Sequence, residues 1–346
     1  MKKNILYLLN HKTLSDFDLP ILQNKNWGIY LPKKYQSLDI TQSINLNNLS
    51  LYDKYLNDIS DDDKLFLDNI DFFNSSNYSI KLMDILNKNF KIIFLTLLTD
   101  STVHNFMVNN FKGKIYYRLF GRESNYNYYS CFNNKSITQN NPNFIFSYQE
   151  IIDFEFKLSN FFINKSYYVP LGLPNFIFSK YENTYNPIIN KCVFVCSKIN
   201  ICSYYTAIYN NLNQQLSEFE FTILGKNNEK INDPRIKNNL NDDEYYLTMS
   251  QHYAMYYHGI EPRHLHYHPL EAIVIGIPII FHQESLLTTS YLCDSPGKCI
   301  SYLEVKEKLN KLKNNDIIFK NSIISYQNNI KNKLKIENNL NIYDFL

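Results

Sequence analysis

The residues best suited to chemistry lie between His258 and Phe281, in the sequence HGIEPRHLHYHPLEAIVIGIPIIF. Arg263 is followed by histidines at alternate positions, His264, His266 and His268. Arginine and histidine donate hydrogen bonds suited to phosphate or carboxylate oxygens, so the sequence predicts an anion-binding loop. Two alternatives stay open. The HxHxH spacing can place the rings on one face as metal ligands, or the histidines can be purely structural.

The later part of this stretch, PLEAIVIGIPIIF, resembles the C-terminal donor-binding motif of GT-B glycosyltransferases. In that family a loop leads into a helix that begins near a glutamate, and a small residue, a glycine and a strand after a proline follow. The matching residues here are Glu271, Ala272, Gly276 and Pro278. The resemblance implies that Glu271 binds a ribose and that the helix N-terminus, with its unpaired N–H groups, faces phosphate. The alternative is that Glu271 is an ordinary first-turn carboxylate.

Two departures from the common motif bear on the donor sugar. Many retaining members carry a sugar-binding glutamate eight positions before the ribose glutamate, where this chain has Arg263; Glu261 lies two residues too early. The dipeptide His268-Pro269 is similar to that of transferases that use CMP-activated acidic sugars, such as bacterial sialyl- and Kdo-transferases. This resemblance implies donor contacts from Arg263, His266, His268 and Pro269, and a CMP-linked acidic sugar. The arginine and the histidines are expected to act as cations beside the phosphate or the sugar carboxylate. A UDP- or GDP-hexose donor is the alternative.

Three further segments of the second half are candidate donor contacts or catalytic groups. Ser197 and Lys198 follow the apolar run CVFVC, where the family has a phosphate-binding loop, and Gly225 and Lys226 follow FTIL, where it has a turn below the base. A solvated turn is the alternative at each place. Asp233 is a nucleophile if the reaction retains configuration through a covalent intermediate, but an Asp-Pro turn is favoured.

The candidates for the general base lie in the first half. The segment YRLFGRE places Arg118, Arg122 and Glu123 around a glycine at a strand end. Glu123 is the preferred base for deprotonating an acceptor hydroxyl, and His11, after the first strand, is the alternative. Arg122 can instead simply neutralise Glu123 in a surface pair.

The sequence favours a protein without a metal ion or a cofactor. Asp61–Asp63 and Asp242-Asp243 resemble the DxD metal motif of another glycosyltransferase fold, but neither directly follows a buried strand, and both suit helix N-termini or solvated loops. The six cysteines form no CxxC pair. Buried free thiols in a reducing cytoplasm are therefore expected, rather than disulfides or a zinc site.

The elements that must position these residues alternate between short apolar runs and longer mixed segments, which is typical of parallel βα units. The prolines and the glycine in PLGLP, residues 170–174, predict a linker. We expect an α/β GT-B fold with two Rossmann-like, doubly wound domains that face each other across a cleft. The predicted boundaries are residues 1–170 for the acceptor-side domain, 175–320 for the nucleotide-sugar domain and 321–346 for a tail that returns to the first domain.

Local predictions within this plan include a strand at Leu65–Leu67, a helix at Ser79–Asn87 and a single helix at Asp243–Tyr257. A helix is predicted to begin at Pro269 and to stop at Gly276. The lysines and the short apolar run at the N-terminus favour a first buried strand over a signal peptide. No stretch approaches the apolar length needed to cross a membrane.

Composition excludes some classes of protein. A formal net charge of +2 gives no support for a general nucleic-acid binder. The resemblance implies a metal-independent, cytoplasmic enzyme that transfers a sugar from a nucleotide sugar to an oligosaccharide or lipid-linked glycan, in bacterial surface polysaccharide or lipopolysaccharide synthesis. Peripheral association with the inner membrane face fits that setting. The alternatives are a nucleotide-sugar epimerase, a polyol-phosphate transferase, or a non-catalytic module that binds glycans or a partner.

Overall fold

The computed structural model describes residues 4–8, 12–32, 59–72, 74–95, 101–119, 144–148, 166–261 and 264–346. Contacts divide the chain into two units, Met1–Gly172 together with Asn339–Leu346, and Leu173–Asn338. Each unit contains a six-stranded sheet in which every described pairing is parallel. The α/β class predicted from the sequence is confirmed. Of the predicted tail from residue 321, only Asn339–Leu346 belongs to the first unit.

The first unit has the strand order β2-β1-β3-β4-β5-β6. Its strands are β1 (Asn4–Leu8), β2 (Gly28–Tyr30), β3 (Ile92–Leu95), β4 (Lys114–Arg118), β5 (Phe144–Tyr148) and β6 (Ser166–Tyr168). Its described helices are α1 (Lys12–Asn24), α2 (Asp61–Asp68), α3 (Ile80–Asn89) and α4 (Ser101–Asn110), with a 3-10 turn at Ser75–Asn77. The central strands β1 and β3 are buried along their whole length, as expected for a sheet covered on both faces.

The predicted strand at Leu65–Leu67 is wrong, because these residues lie inside α2. A short apolar run does not separate a buried strand from a helix, and here the helix-start signal decides. The Ser60 hydroxyl accepts a hydrogen bond from the Asp63 backbone N–H, and three aspartates occupy the first turn, where the helix dipole favours negative charge. The prediction that Asp61–Asp63 form a helix N-terminus is confirmed.

Arg118, at the end of β4, is a buried structural residue. Its guanidinium donates to Asp18 Oδ2 at 3.2 Å and to the carbonyl oxygens of Val169 and Pro170 at 2.7 Å each. Arg118 and Asp18 are both completely buried. Burial raises the pKa of the Asp18 carboxyl, while the Arg118 charge acts in the opposite direction. The ion pair thus fixes the chain after β6 onto the first sheet.

The second unit has the strand order β12-β11-β10-β7-β8-β9. Its strands are β7 (Ile189–Val195), β8 (Phe221–Gly225), β9 (Ile236–Asn238), β10 (His252–Tyr257), β11 (Ile279–His282) and β12 (Lys298–Cys299). Its helices are α5 (Asn175–Tyr181), α6 (Ser203–Gln215), α7 (Asp242–Ser250), α8 (His268–Ile275), α9 (Leu286–Ser290), α10 (Tyr302–Lys313) and α11 (Ile317–Lys331), followed by 3-10 turns at Asn332–Leu334 and Ile336–Asn339.

This strand order is the one used by dinucleotide-binding folds. The chain starts at the central strand β7, proceeds outward through β8 and β9, and then returns to pair β10 with the other side of β7. The direction of winding therefore reverses between β7 and β10. Open parallel sheets bind ligands beside the carboxyl ends of their strands at such a switch point.

The single helix predicted over Asp243–Tyr257 is partly wrong, since α7 ends at Ser250 and the chain continues as β10. All residues of β10 are buried, and a short apolar run of this kind carries no period that separates helix from strand. The helical part begins with a capping box between Asn241 and Glu244. Asp242 and Asp243 lie in its first turn, which confirms their predicted position at a helix N-terminus.

The cysteines in the described residues are free thiols. Cys192, Cys196 and Cys299 are buried, as predicted, whereas Cys202 is half-buried and Cys293 is exposed. Cys131 lies outside the described residues. Burial raises the pKa of Cys196 and of Cys299 to about 12, so these thiols stay protonated at neutral pH. Among the described helices, none combines the length and the apolar character needed to span a bilayer.

Candidate functional site

Several predicted site residues lie at the carboxyl edge of the second sheet. Ser197 and Lys198 follow β7, and Lys226 follows the adjacent strand β8. The Ser197 hydroxyl accepts a hydrogen bond from the Lys226 backbone N–H at 3.0 Å, and the Lys198 N–H donates to the Lys226 carbonyl at 2.9 Å. These bonds join the two loops, and both lysine side chains are exposed. The two turns therefore form one polar surface beside the switch point.

Gly225 allows these two loops to approach each other. A Cβ atom at this position would lie 2.1 Å from the Cys196 carbonyl oxygen, which no side chain can occupy. Asn228, which sequence reasoning missed, closes the same turn: its amide donates to the Cys196 carbonyl and its carbonyl accepts from the Ile199 N–H, each at 2.9 Å. Gly225 and Asn228 thus determine how closely the backbones of the two loops approach each other.

Histidines occupy the carboxyl end of β10 and the loop that follows it. His258 comes directly after β10, His266 lies in the loop, and His268 is the first residue of α8. Ring centroids are 5.2 Å apart for His258 and His266, 5.0 Å for His266 and His268, and 5.9 Å for His258 and His268. His264 packs on His266 from the loop side, with centroids 4.0 Å apart. Sequence reasoning missed His258 because the strand before it was not recognised.

These histidines are uncharged at neutral pH. Burial lowers the pKa of His258 to about 3 and that of His264 to about 4, and it holds the pKa values of His266 and His268 well below the usual range. Repulsion from neighbouring rings adds to the effect at His258, His266 and His268. The expectation that His266 and His268 supply positive charge is therefore corrected, because desolvation favours their neutral forms.

Helix α8 carries the residues that match the donor-binding motif. It has Pro269 at its start, its N-cap residue makes no side-chain capping hydrogen bond, and it ends at Gly276, whose φ of 95° lies in the left-handed region. The predicted helix and its end at Gly276 are confirmed, and its start lies one residue earlier than predicted, at His268. Proline is favoured in the first turn because that turn lacks an internal partner for its N–H, and glycine is favoured just past the end.

Glu271 lies in the first turn of α8 and is 7% exposed. Its Oε2 accepts a hydrogen bond from the Tyr245 hydroxyl at 3.3 Å, and its Oε1 accepts one from the Tyr246 hydroxyl at 3.2 Å. The Glu271 charge and burial both raise the pKa values of these tyrosines. The carboxylate is thus held in a fixed position by α7, and its role toward a ribose stays a prediction.

Asp233 has the geometry of the Asp-Pro turn that the sequence favours over a nucleophile. Its Oδ2 lies 2.6 Å from Arg235 Nη2 and accepts a hydrogen bond from the Tyr209 hydroxyl at 2.6 Å. These bonds lower the pKa of its carboxyl. Asp233 also precedes β9, and the pairing of Ile223 with Ile236 places it toward the amino ends of the strands, away from Ser197 and His258.

The remaining candidates, His11, Glu123 and Arg263, lie outside the described residues. In the described part of the second unit, the candidates that the structure brings to one edge of the sheet are Ser197, Lys198, Gly225, Lys226, His266 and His268. This edge combines an uncapped helix N-terminus, exposed lysines and neutral imidazoles, which together can bind an anionic ligand.

Comparison with solved structures finds the same fold in several glycosyltransferases. A glycosyltransferase from Rickettsia africae aligns with a TM-score of 0.61 and 11% identity over 98% of this chain and 96% of that chain. The DNA-modifying β-glucosyltransferase, solved with and without uridine diphosphoglucose, aligns with a TM-score of 0.51 and 12% identity over 100% and 98%. An O-GlcNAc transferase from Thermobaculum terrenum aligns with a TM-score of 0.56 and 10% identity over 99% of this chain and 66% of that chain.

No protein-family model and no curated protein matches the sequence. At these identities the likeness shows the fold, and that fold is the predicted α/β GT-B fold with two parallel-sheet units.

Proposed function

We propose that this protein is a glycosyltransferase that transfers a sugar from a nucleotide-sugar donor to a hydroxyl of a glycan acceptor. The observation that carries the proposal is the switch point between β7 and β10, with motif-bearing α8 beginning in the loop that follows β10. The GT-B fold supports the reaction class, and one neighbour with this fold has uridine diphosphoglucose as its substrate.

In this proposal the second unit holds the donor. Glu271 binds the ribose, and the N-terminus of α8, beginning at His268-Pro269, faces the phosphate. The neutral rings of His266 and His268 contribute hydrogen bonds, while positive charge comes from Lys198, Lys226 and Arg263. Preorganised donors of this kind stabilise the leaving phosphate. Their geometry supports phosphate binding because the two lysine-bearing turns are tied together beside the switch point.

The finer donor assignment is a CMP-linked acidic sugar of the Kdo or sialic acid type. Its support is the sequence, where Arg263 replaces the sugar-binding glutamate and His268-Pro269 matches the dipeptide of CMP-sugar transferases. The acceptor is an oligosaccharide or lipid-linked glycan at the cytoplasmic face of a bacterial membrane. Glu123, or alternatively His11, deprotonates the acceptor hydroxyl, and no cofactor is required for this step.

The test begins with nucleotide binding to the full chain. Calorimetry and thermal unfolding with CMP, UDP and GDP are expected to show binding of at least one nucleotide, with CMP preferred. A preference for UDP or GDP overturns the CMP assignment alone. Sugar transfer is then measured with the matching nucleotide sugars and glycan acceptors. Absence of binding by every nucleotide contradicts the proposed function and favours a non-catalytic module.

Glu271→Gln tests the ribose contact. Loss of a charge-assisted hydrogen bond of about 1.5–3 kcal/mol predicts a decrease in nucleotide affinity of about 10–100-fold. Glu284→Gln, at an exposed glutamate of the same unit, is the matched control and should bind like the parent. Tyr246→Phe removes a hydrogen bond to Glu271 but keeps the carboxylate. If Glu271→Gln binds nucleotide normally, the ribose lies elsewhere.

A further inference from the structure

We propose that His258, His266 and His268 form a binding site for a divalent transition-metal ion of the zinc type, with a coordination position open to a ligand. The site consists of residues of the second unit, and the proposal does not depend on the proposed function. It departs from the sequence-based expectation of a protein without a metal, and it selects His258 rather than His264 as the third histidine.

The geometry of the three rings suits a common ion. Each ring offers one nitrogen, and the three nitrogens lie within 4.8 Å of one another. Zinc–nitrogen bonds of about 2.0–2.1 Å in a tetrahedron require nitrogens roughly 3.4 Å apart, so the most distant pair must close by up to about 1.4 Å. The ligands are anchored at the end of a buried strand and at the start of a helix, which limits the cost of holding them together.

The hydrogen bonding of these rings leaves ligand atoms unused. His268 is 7% exposed, yet its Nε2 has no hydrogen-bond partner among the described residues. His258 is 8% exposed, and neither of its ring nitrogens makes a hydrogen bond of normal geometry there. Buried polar atoms are nearly always paired, because leaving them unpaired costs stability. A bound ion would satisfy one nitrogen of each ring.

His266 has the outer contacts expected of a metal ligand. Its Nδ1 lies 3.1 Å from the Tyr257 hydroxyl, and its Nε2 lies 3.4 Å from the Tyr205 hydroxyl. In the tautomer with a proton on Nδ1, the Tyr257 oxygen accepts that proton's hydrogen bond and the Nε2 lone pair can bind an ion. Ligating histidines usually donate their other N–H in this way, which fixes the tautomer and the orientation of the ring.

The donor set selects the class of ion. Imidazole nitrogen suits Zn²⁺, Cu²⁺, Ni²⁺ and Co²⁺, whereas Mg²⁺ and Ca²⁺ prefer oxygen. Three histidines with an open position are the protein ligands of some catalytic zinc sites. If the proposed function also holds, the open position is available to a phosphate oxygen of the donor.

The experiment measures Zn²⁺ binding to the full chain after treatment with EDTA and removal of the chelator. Calorimetry is expected to show one tightly bound ion per chain, Co²⁺ should give the visible absorption of a low-coordinate nitrogen site, and Mg²⁺ should not compete. His258→Ala and His268→Gln should each weaken Zn²⁺ binding at least about 100-fold, since loss of even an outer-shell partner costs about 10–100-fold. His252→Gln is the matched control, since His252 lies at the other end of β10 with its ring nitrogens 2.7 Å from the Thr248 carbonyl and from the Thr222 hydroxyl, and it should bind Zn²⁺ normally.

Thermal unfolding provides a second measurement that also reports whether each variant folds. Zn²⁺ should raise the melting temperature of the parent and of His252→Gln, but not that of His258→Ala or His268→Gln. The proposal is overturned if the parent binds no ion, or if His252→Gln loses binding as completely as the other variants. Nucleotide binding measured in EDTA distinguishes the two proposals. If the protein binds nucleotide but not Zn²⁺, only the metal-site proposal is contradicted. If it binds Zn²⁺ but no nucleotide, only the proposed donor site is contradicted.

Discussion

The two units each bury a polar cluster, and the clusters differ in whether the nitrogen atoms at their centre are paired. In the first unit, the Arg118 guanidinium bonds to Asp18 and to two backbone carbonyls. In the second unit, His268 keeps an unpaired Nε2, and His258 is equally buried without a bond of normal geometry. Both clusters lie at or just beyond the carboxyl end of a parallel strand, β4 in one case and β10 in the other.

The difference between the clusters separates a structural role from a binding role. A buried guanidinium whose three nitrogens are all bonded stabilises one arrangement of the chain around it, whereas unpaired buried nitrogens lower stability unless a ligand completes them. Arg118 illustrates why sequence position alone misleads. It lies in a polar segment at a strand end, where a binding residue is expected. In the structure, however, its guanidinium donates hydrogen bonds to Asp18 and to two backbone carbonyls of the chain itself.

The largest effect is expected from breaking the Arg118–Asp18 cluster. Arg118→Met leaves the Asp18 carboxylate buried without its cation and leaves two carbonyls without their donor. The expected loss of unfolding free energy is about 3–5 kcal/mol, measured by urea denaturation.

A surface pair provides the control for this change. Lys306 and Glu218 are 2.7 Å apart but largely solvated, so Lys306→Met should cost less than about 1 kcal/mol. Adding Asp18→Asn to Arg118→Met should restore part of the loss, because the unpaired charge is then gone. Equal costs for Arg118→Met and Lys306→Met would show that the buried pair is not important for stability.

The next effect concerns the pH dependence of the histidine cluster. The folded-state pKa values of His258 and His264, about 3 and about 4, lie below the unfolded value of roughly 6.5. Unfolding therefore takes up protons at mildly acidic pH. Stability is fully present above about pH 6.5 and falls as the pH drops toward the folded pKa values. Each histidine contributes a slope of about 1.4 kcal/mol per pH unit in this window.

Urea denaturation between about pH 6.5 and 5 in the presence of EDTA measures this slope, above the range in which most carboxylates titrate. His264→Gln should reduce the slope by about 1.4 kcal/mol per pH unit. The surface variant Lys306→Met should leave the slope unchanged. A parent protein whose stability is constant over this range would show that the rings are not held neutral by the fold.

The sequence predicted the α/β class and the helix that bears the motif because these depend on local signals. Pro269 at the start of α8, Gly276 at its end and the apolar residues between them are sufficient to define the helix. The same holds for the acidic first turns of α2 and α7, because Ser60 and Asn241, the N-cap residues of these helices, are of types favoured at that position.

The position of His258 could not be predicted, since it depends on pairing between distant strands. The run HYAMYY has no period that separates helix from strand, and only its pairing with β7 and β11 shows that it is a central strand. Once β10 is placed, His258 comes to the carboxyl edge beside His266 and His268. The charge state of these rings was mispredicted for a similar reason, because burial is a property of the packed structure.

The smallest effect, and the sharpest test of the comparison, is expected at His268. Replacing an unpaired buried polar group with an apolar one removes its desolvation penalty, and this gain offsets the packing lost. His268→Leu should therefore change the unfolding free energy by less than about 1 kcal/mol in either direction, while Zn²⁺ binding is lost. Urea denaturation in EDTA and calorimetry measure the two quantities on the same preparation. A cost as large as that of Arg118→Met would mean that His268 stabilises the fold as Arg118 does, and that an unpaired nitrogen in this protein does not indicate a ligand.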